Sequence, residues 1–268
     1  MTLFHIIVLA LVQGVTEFLP ISSSAHLVLV PYFTGWDDQG LIIDVAVHVG
    51  TLGAVVVYLW RDVAAILGDL AGAARGRRAG PGVRLAGLII VATVPVVGAG
   101  FAFNGWYPDG LRSITVIAWA TLGFGLVLFA ADRFGLTVRR MEHLKLSDTI
   151  IIGLAQVLAL IPGTSRSGIT MTAARLLGIE RTHAARFSML LAIPAITGAG
   201  VLKGIDLVQA GDAQLTTASV TAAALSFVTA LIAIALMMAW LKRATFTPFV
   251  LYRVVLGCVL LALAYGGV

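Results

Sequence analysis

The chain has 268 residues, 59% of them apolar, and its charge amounts to 18 Lys and Arg against 13 Asp and Glu. At a mean hydropathy of +1.00 so few charges cannot clothe a water-soluble surface, and the basic excess is too thin for a nucleic-acid-binding face. A single cysteine, Cys258, excludes an internal disulfide and any multi-cysteine metal site, which leaves an all-α polytopic membrane protein.

The first element is an apolar stretch over 2–33, interrupted at Pro20-Ile21-Ser22-Ser23-Ser24. No Lys or Arg precedes its apolar start and no small-residue cleavage site follows, so it reads as mature protein rather than a signal peptide. Spanning a bilayer takes about 20 apolar residues, and the runs 42–60, 85–104 and 114–131 meet that length. A second interrupted stretch, 148–178, breaks at Pro162-Gly163-Thr164-Ser165-Arg166-Ser167-Gly168, and three more runs follow at 184–204, 216–240 and 248–266. The arms of the interrupted stretches are too short to span and suit re-entrant half-helices. The expected fold is therefore six transmembrane helices plus two re-entrant helix pairs, in one integral membrane domain over 1–268.

Loop charge sets the orientation. Arg61, Arg75, Arg77, Arg78 and Arg84 crowd 61–84; Arg133, Arg139, Arg140 and Lys145 crowd 132–147; Lys242 and Arg243 mark 241–247. The connections 105–113 and 205–215 carry one basic residue, Arg112, and extra acids. Counting positive charge places the three basic loops in the cytoplasm. The first interrupted stretch then opens to the outside and the second to the cytoplasm, with both termini outside. That opposition predicts inverted repeats, about 1–131 and 148–268. Pro162 follows Pro20, Ser165 follows Ser23 and Arg186 follows Asp44 at one offset of 142 residues. Inverted repeats of broken helices bring their polar breaks together near the midplane.

Ionisable side chains in a bilayer are costly, so their positions carry information. Glu17 is the only acid in the first 36 residues, with Gln13 one turn earlier and Ser22, Ser23, Ser24 and His26 following at the break. At the other break Arg166 stands between Ser165 and Ser167, with Thr170 one turn on. Together these residues read as an anion site. Half-helix N-termini present free N–H groups, Arg166 offers a planar fork for phosphate oxygens, and Ser165, Ser167 and Thr170 add hydroxyls. Glu17, helped by Gln13, suits a hard divalent cation, Mg²⁺ or Ca²⁺, shared with phosphate oxygens. Ser23 with His26 supplies a nucleophile and a base, or His26 is itself the nucleophile. Each residue alone has a structural reading: a serine bonded to its own helix, a proton-relay glutamate, a satisfied histidine. His5, His48, His143 and His183 are read as structural, Asp44 with Arg186 as a buried ion pair, and Arg253 as a phosphate contact or a snorkelling side chain.

The segment from Gln13 to His26 resembles the (Glu/Gln)-x-x-x-Glu region of the bacterial undecaprenyl-diphosphate phosphatases, the bacitracin-resistance family. The run from Pro162 to Thr170 resembles that family's Pro-Gly-x-Ser-Arg-Ser-x-x-Thr signature, and the resemblance extends over the whole chain. It implies a multi-pass enzyme of the bacterial cytoplasmic membrane that hydrolyses undecaprenyl diphosphate to the monophosphate and phosphate. Such an enzyme recycles the lipid carrier for cell-wall synthesis and confers bacitracin resistance. By position, Glu17 takes the metal or catalytic carboxylate role, Ser23 and His26 the nucleophile and base roles, and Arg166 a catalytic one. Ser165, Arg166 and Thr170 take the diphosphate-binding roles, with Ser22 and Ser167 expected as further substrate contacts. Gln13 stands where some members have Glu, which implies weaker metal dependence. The expected partners are the polyprenyl diphosphate and membrane lipids, with a second copy of the chain as a candidate, and the active site is expected to open to the outer side. The competing reading is a polyprenyl-phosphate flippase or proton-coupled carrier, since broken inverted repeats are also transporter architecture.

Overall fold

With no water to satisfy its backbone, a chain this apolar must close its hydrogen bonds within helices or a closed barrel. The computed structural model describes residues 2–104, 113–210 and 212–266. Among them the fold is helical, and the sole β-type pairing is an isolated bridge between Arg139 and Ile179. The first half comprises α1 (Leu3–Thr16), α2 (Ser23–Thr34), α3 (Gly40–Tyr58), α4 (Trp60–Ala74), α5 (Pro81–Asn104) and α6 (Ile114–Phe134). The second comprises α7 (Leu146–Val157), α8 (Arg166–Leu176), α9 (Arg181–Ala210), α10 (Ala213–Leu241) and α11 (Thr247–Tyr265).

Five helices, α3, α5, α6, α10 and α11, are long and apolar enough to cross a membrane. The expected sixth span, 184–204, lies within α9, a helix of 30 residues; several of its side chains beyond 198 lie outside the described set, as do residues 105–112 of the expected outer connection. Both interrupted stretches break where expected, into α1/α2 and α7/α8. One expectation is corrected. The stretch 61–84 is not simply a connection but carries α4, none of whose residues is buried. Val63, Ile66, Leu67 and Leu70 recur at helical spacing, and Trp60, Leu67 and Leu70 stay exposed, the character of a helix lying in a membrane interface. Counting its arginines as loop charge hid that periodicity.

The three basic stretches meet on one face. Arg84 donates to the carbonyls of Glu142 and Leu144, Arg186 of α9 pairs with Asp62 of α4 at 2.6 Å, and Asp132 accepts from the backbone N–H of Phe246 at 3.0 Å. The Asp62 pairing overturns the expected Asp44–Arg186 bridge. Arg139 is likewise drawn inward, onto Asp148 and the carbonyl of Leu177. At the other end, Asp37, Asp38 and Asp212 gather beside Thr2 and His5.

Helix packing is paired between the halves. α1 lies on α10 as α7 lies on α5; α3 lies on α10 as α9 lies on α5; α3 meets α9, and α6 meets α11. Glycines permit the matching close approaches: a Cβ on Gly14 would fall 2.6 Å from Thr229, and one on Gly153 would fall 2.8 Å from the Ala92 backbone. Among the described residues, the two non-glycine residues in the left-handed region, Ser22 and Ser165, stand 143 residues apart, as do the buried glutamines Gln13 and Gln156. The structural register of the breaks is therefore one residue longer than the 142 read from the prolines. The second break contains one more residue between its proline and its helix. Between the layers, α8 is buried from Ser167 to Arg175, while Val94, Leu236 and Val255 project outward from the spans.

Candidate functional site

Each break ends in a serine that caps a half-helix. Ser22 (φ 73°) precedes α2 and Ser165 (φ 71°) precedes α8. A positive φ on a residue with a side chain costs energy and is held only where the surroundings enforce it. Ser165 Oγ accepts from the Gly168 N–H at 3.0 Å, and Ser167 Oγ donates to the Leu19 carbonyl at 3.0 Å, tying the second break to the first. Gly163 makes the turn at φ +95°, where a Cβ would come within 2.5 Å of the Ile117 carbonyl oxygen.

Arg253 fixes the two breaks to each other. Its guanidinium is fully buried and donates to five backbone carbonyls: Thr121 (3.0 Å), Pro20 (3.2 Å), Thr164 (3.0 Å), Ala120 (3.3 Å) and Gly163 (2.9 Å). It is therefore neither a snorkelling side chain nor a free phosphate contact. Gly168 leaves it room, since a Cβ there would sit 2.9 Å from Arg253 Nη1.

Within this frame α1, α2 and α8 converge on one carboxylate. Glu17, buried at 6% exposure, accepts from Arg166 Nη2 through Oε1 at 2.9 Å. Its Oε2 accepts from Ser23 Oγ at 2.6 Å and from Gln13 Nε2 at 2.9 Å, and His48 Nε2 lies 3.5 Å from the same oxygen. Residues 149 positions apart thus meet at hydrogen-bonding distance. Gln13 Oε1 is buried and meets no donor.

Two arrangements differ from the expected ones. Ser23 is directed to Glu17 and not to His26. Both His26 nitrogens are engaged elsewhere, Nδ1 with the Ser22 carbonyl at 2.7 Å and Nε2 with the Tyr252 hydroxyl at 2.5 Å. The Ser22 carbonyl sits one turn below His26 on α2, and the ring stacks on Tyr252 of α11, which fixes it away from Ser23. Thr170 spends its hydroxyl on the carbonyls of Arg166 and Ser167 and on Ser188 Oγ at 2.7 Å, so it steadies the first turns of α8 rather than facing Glu17. Ser165 and Ser167 hydrogen-bond each other at 3.1 Å, and Ser22 has only a long contact to Ser24 at 3.4 Å. The sequence assigns no role to Ser188 or to Tyr252, the latter within a Phe-Val-Leu-Tyr-Arg segment in keeping with the family, and His48, read there as structural, lies in an apolar span. An open apolar groove of about 610 Å³ runs beside Leu19, between Leu11 and Val15 of α1, Ala233 of α10 and Phe249 of α11.

A carboxylate, a hydroxyl it can deprotonate and a guanidinium fork form the working parts of an acyl- or phosphoryl-transfer site, and the broken-helix N-termini favour an anionic substrate. The bacitracin resistance protein BacA family matches residues 6–259. The chain is 56% identical to the undecaprenyl-diphosphatase of Ruegeria pomeroyi over 99% of its own length and all of the relative's. It is 52% identical to undecaprenyl-diphosphatase 1 of Rhodospirillum rubrum, over all of this chain and 97% of that one. A relative from Alteromonas mediterranea, also an undecaprenyl-diphosphatase, is 49% identical over 97% and 98% of the two chains. The chain is a multi-pass membrane protein and belongs to the bacitracin resistance protein BacA family.

Proposed function

We propose that this chain hydrolyses undecaprenyl diphosphate to undecaprenyl phosphate and inorganic phosphate, which returns the lipid carrier to cell-wall synthesis and underlies bacitracin resistance. The observation that carries the reading is the meeting of Glu17, Ser23 and Arg166 from opposite halves of the chain. The diphosphate takes over the Arg166 fork, which frees Glu17 to act as base. Ser23 Oγ attacks the terminal phosphorus while its proton passes to the Glu17 carboxylate. The bond from that phosphorus to the bridging oxygen breaks, and undecaprenyl phosphate leaves with the electron pair. Water then attacks the phosphoserine, its proton going to a phosphate oxygen. Glu17 returns its proton to Ser23 Oγ, and phosphate departs. His26, held by Ser22 and Tyr252, positions the start of α2. The groove beside Leu19 takes the prenyl tail.

A divalent cation, Mg²⁺ or Ca²⁺, fits the donor set. Glu17 is the carboxylate, and the unpartnered Gln13 Oε1 is a second hard oxygen. These two would hold it with the diphosphate oxygens, where a bound cation neutralises phosphoryl charge.

The finer architecture we infer is six spans with two re-entrant pairs in inverted repeats, supported by the paired packing of α1–α10 with α7–α5. We place the face that gathers Arg84, Arg139 and Arg186 in the cytoplasm, with the active site open to the outer side of the cytoplasmic membrane. With the exposed Cys258 first replaced by alanine, a cysteine at Gly76 or Leu136 should label only from the cytoplasm and one at Gln214 only from outside. Labelling of Gly76 and Leu136 from opposite sides would break this orientation.

Paired broken helices also suit a carrier, and one measurement separates the two readings. Phosphate release from undecaprenyl diphosphate by protein in detergent requires no second compartment, and we expect it to fall on chelation. Substrate counterflow in vesicles without phosphate release would replace the hydrolase with a carrier. In the same assay Arg166→Lys should lower kcat about tenfold or more, roughly 1.4 kcal/mol, with a smaller change in KM. A point charge cannot reproduce the fork where charge builds in the transition state. A pure KM effect would make Arg166 a head-group anchor.

A further inference from the structure

His48 occupies an apolar span, α3, where an ionisable ring is expensive, and its two nitrogens face different partners. Nδ1 lies 2.6 Å from the Asp44 carbonyl. A carbonyl can only accept, so Nδ1 carries the proton, and in the neutral ring the Nε2 lone pair points outward. In that form the lone pair confronts Glu17 Oε2 at 3.5 Å, whereas a protonated ring pairs with it through Nε2–H. Two acceptors held face to face repel unless a positive charge sits between them. The third group at this place is the Gln13 amide, whose Nε2 is 2.9 Å from Glu17 Oε2 and whose Oε1 is buried without a donor. A half-turn of that amide exchanges its two atoms and brings the orphaned oxygen towards the carboxylate.

We propose that His48 Nε2 is a metal ligand that, with Glu17 and Gln13 Oε1, gives this chain a mixed nitrogen–oxygen cation site. The proposal rests on the cation reading given above and adds its third ligand. Ligand atoms that sit about 2.0–2.2 Å from a shared ion lie roughly 3–3.5 Å from one another; His48 Nε2 stands 3.5 Å and the Gln13 amide nitrogen 2.9 Å from Glu17 Oε2. The Nδ1–H bond to a backbone carbonyl is the support that fixes tautomer and ring direction in metal-binding histidines. An imidazole among the ligands changes the ion selected. Mg²⁺ and Ca²⁺ take oxygen almost exclusively, whereas nitrogen donors raise affinity for Mn²⁺, Co²⁺ and Zn²⁺. This chain therefore favours a transition-metal ion over Mg²⁺, with diphosphate oxygens completing the shell.

The test is spectroscopic and independent of turnover. Full-length protein in detergent is loaded with Mn²⁺ and methylenediphosphonate, a diphosphate that cannot be hydrolysed. Free Mn²⁺ is counted by its electron-spin resonance, and pulsed measurements report nitrogen coupled to the bound ion. We expect a histidine nitrogen coupling in the wild type that His48→Gln removes. We also expect Mn²⁺ affinity to fall about tenfold or more in that variant, with Mg²⁺ affinity, measured by competition, within about twofold. Wild-type Mn²⁺ without nitrogen coupling, or coupling that survives His48→Gln, overturns the proposal. Glu17→Ala separates the two levels. Loss of all binding in Glu17→Ala with none in His48→Gln would refute His48 alone, whereas full binding in Glu17→Ala would refute the cation reading beneath it.

Discussion

Glu17→Ala should lower kcat for undecaprenyl diphosphate by about 10³-fold or more, roughly 4 kcal/mol of transition-state stabilisation, while the protein still inserts and melts as a folded unit. The magnitude follows from how many groups depend on one carboxylate. Ser23 loses its acceptor, Arg166 its counter-charge and Gln13 its partner. Ser23→Ala should lose a comparable amount, and the Glu17→Ala/Ser23→Ala double variant should be little worse than the poorer single one, because a nucleophile and its base act as one unit. His26→Ala should be milder, since neither ring nitrogen is bonded to Ser23. The measurement is phosphate release under saturating substrate, with thermal melting as the control for folding. A fully active Ser23→Ala protein alongside an inactive His26→Ala protein would exchange the nucleophile for the histidine, and additive losses for Glu17 and Ser23 would break the pairing of base and nucleophile.

The large features were legible because membranes impose strong rules. Length of apolar run, broken stretches and the gathering of basic loops follow from the cost of exposed backbone and charge in hydrocarbon, and the structure bears out both breaks to within a few residues. Glu17 and Arg166 could be singled out because an ionisable group in such a run needs a reason, and the structure brings them to 2.9 Å of each other. What the sequence hid is how side chains choose among nearby partners. Ser23 and His26 lie three residues apart on α2, close enough to suggest a pair. The left-handed turn at Ser22 instead puts its carbonyl under His26, and Tyr252, 226 positions away, takes the other nitrogen. His48 was discounted because a lone histidine in a span is more often satisfied than functional, and only the packing of α3 beside α1 shows what it faces. Asp44 and Arg186 match at the repeat offset, but in the inverted repeats proposed above equivalent residues would lie at opposite ends of the fold. Such a pair is not expected to meet, and Arg186 goes to Asp62.

Arg253 illustrates the same limit from the side of stability. Its charge in the last span was visible, but five carbonyls drawn from α6 and both breaks could not be read from a linear pattern. The Pro20 and Thr164 carbonyls, stripped of their donor in a buried place, cost about 1–3 kcal/mol each, the other three lose one of two donors, and in the membrane interior no water replaces the lost bond. Arg253→Leu should therefore cost at least about 3 kcal/mol, to be read as a large fall in the midpoint of thermal unfolding in detergent. Arg253→Lys should recover only part of it, because an ammonium has three donors to offer where the guanidinium has five. The two arginines of the site then separate by observable. Arg166→Lys should slow turnover with little change in melting, since Arg166 is partly exposed and placed for substrate. Arg253→Lys should lower melting and turnover together, since Pro20, Gly163 and Thr164 would no longer share one clamp and Glu17 and Arg166 would drift out of register. Should Arg253→Lys melt like the wild type yet lose activity, the buried guanidinium would be acting on the phosphate itself, and its five carbonyl bonds would describe only the protein without its substrate.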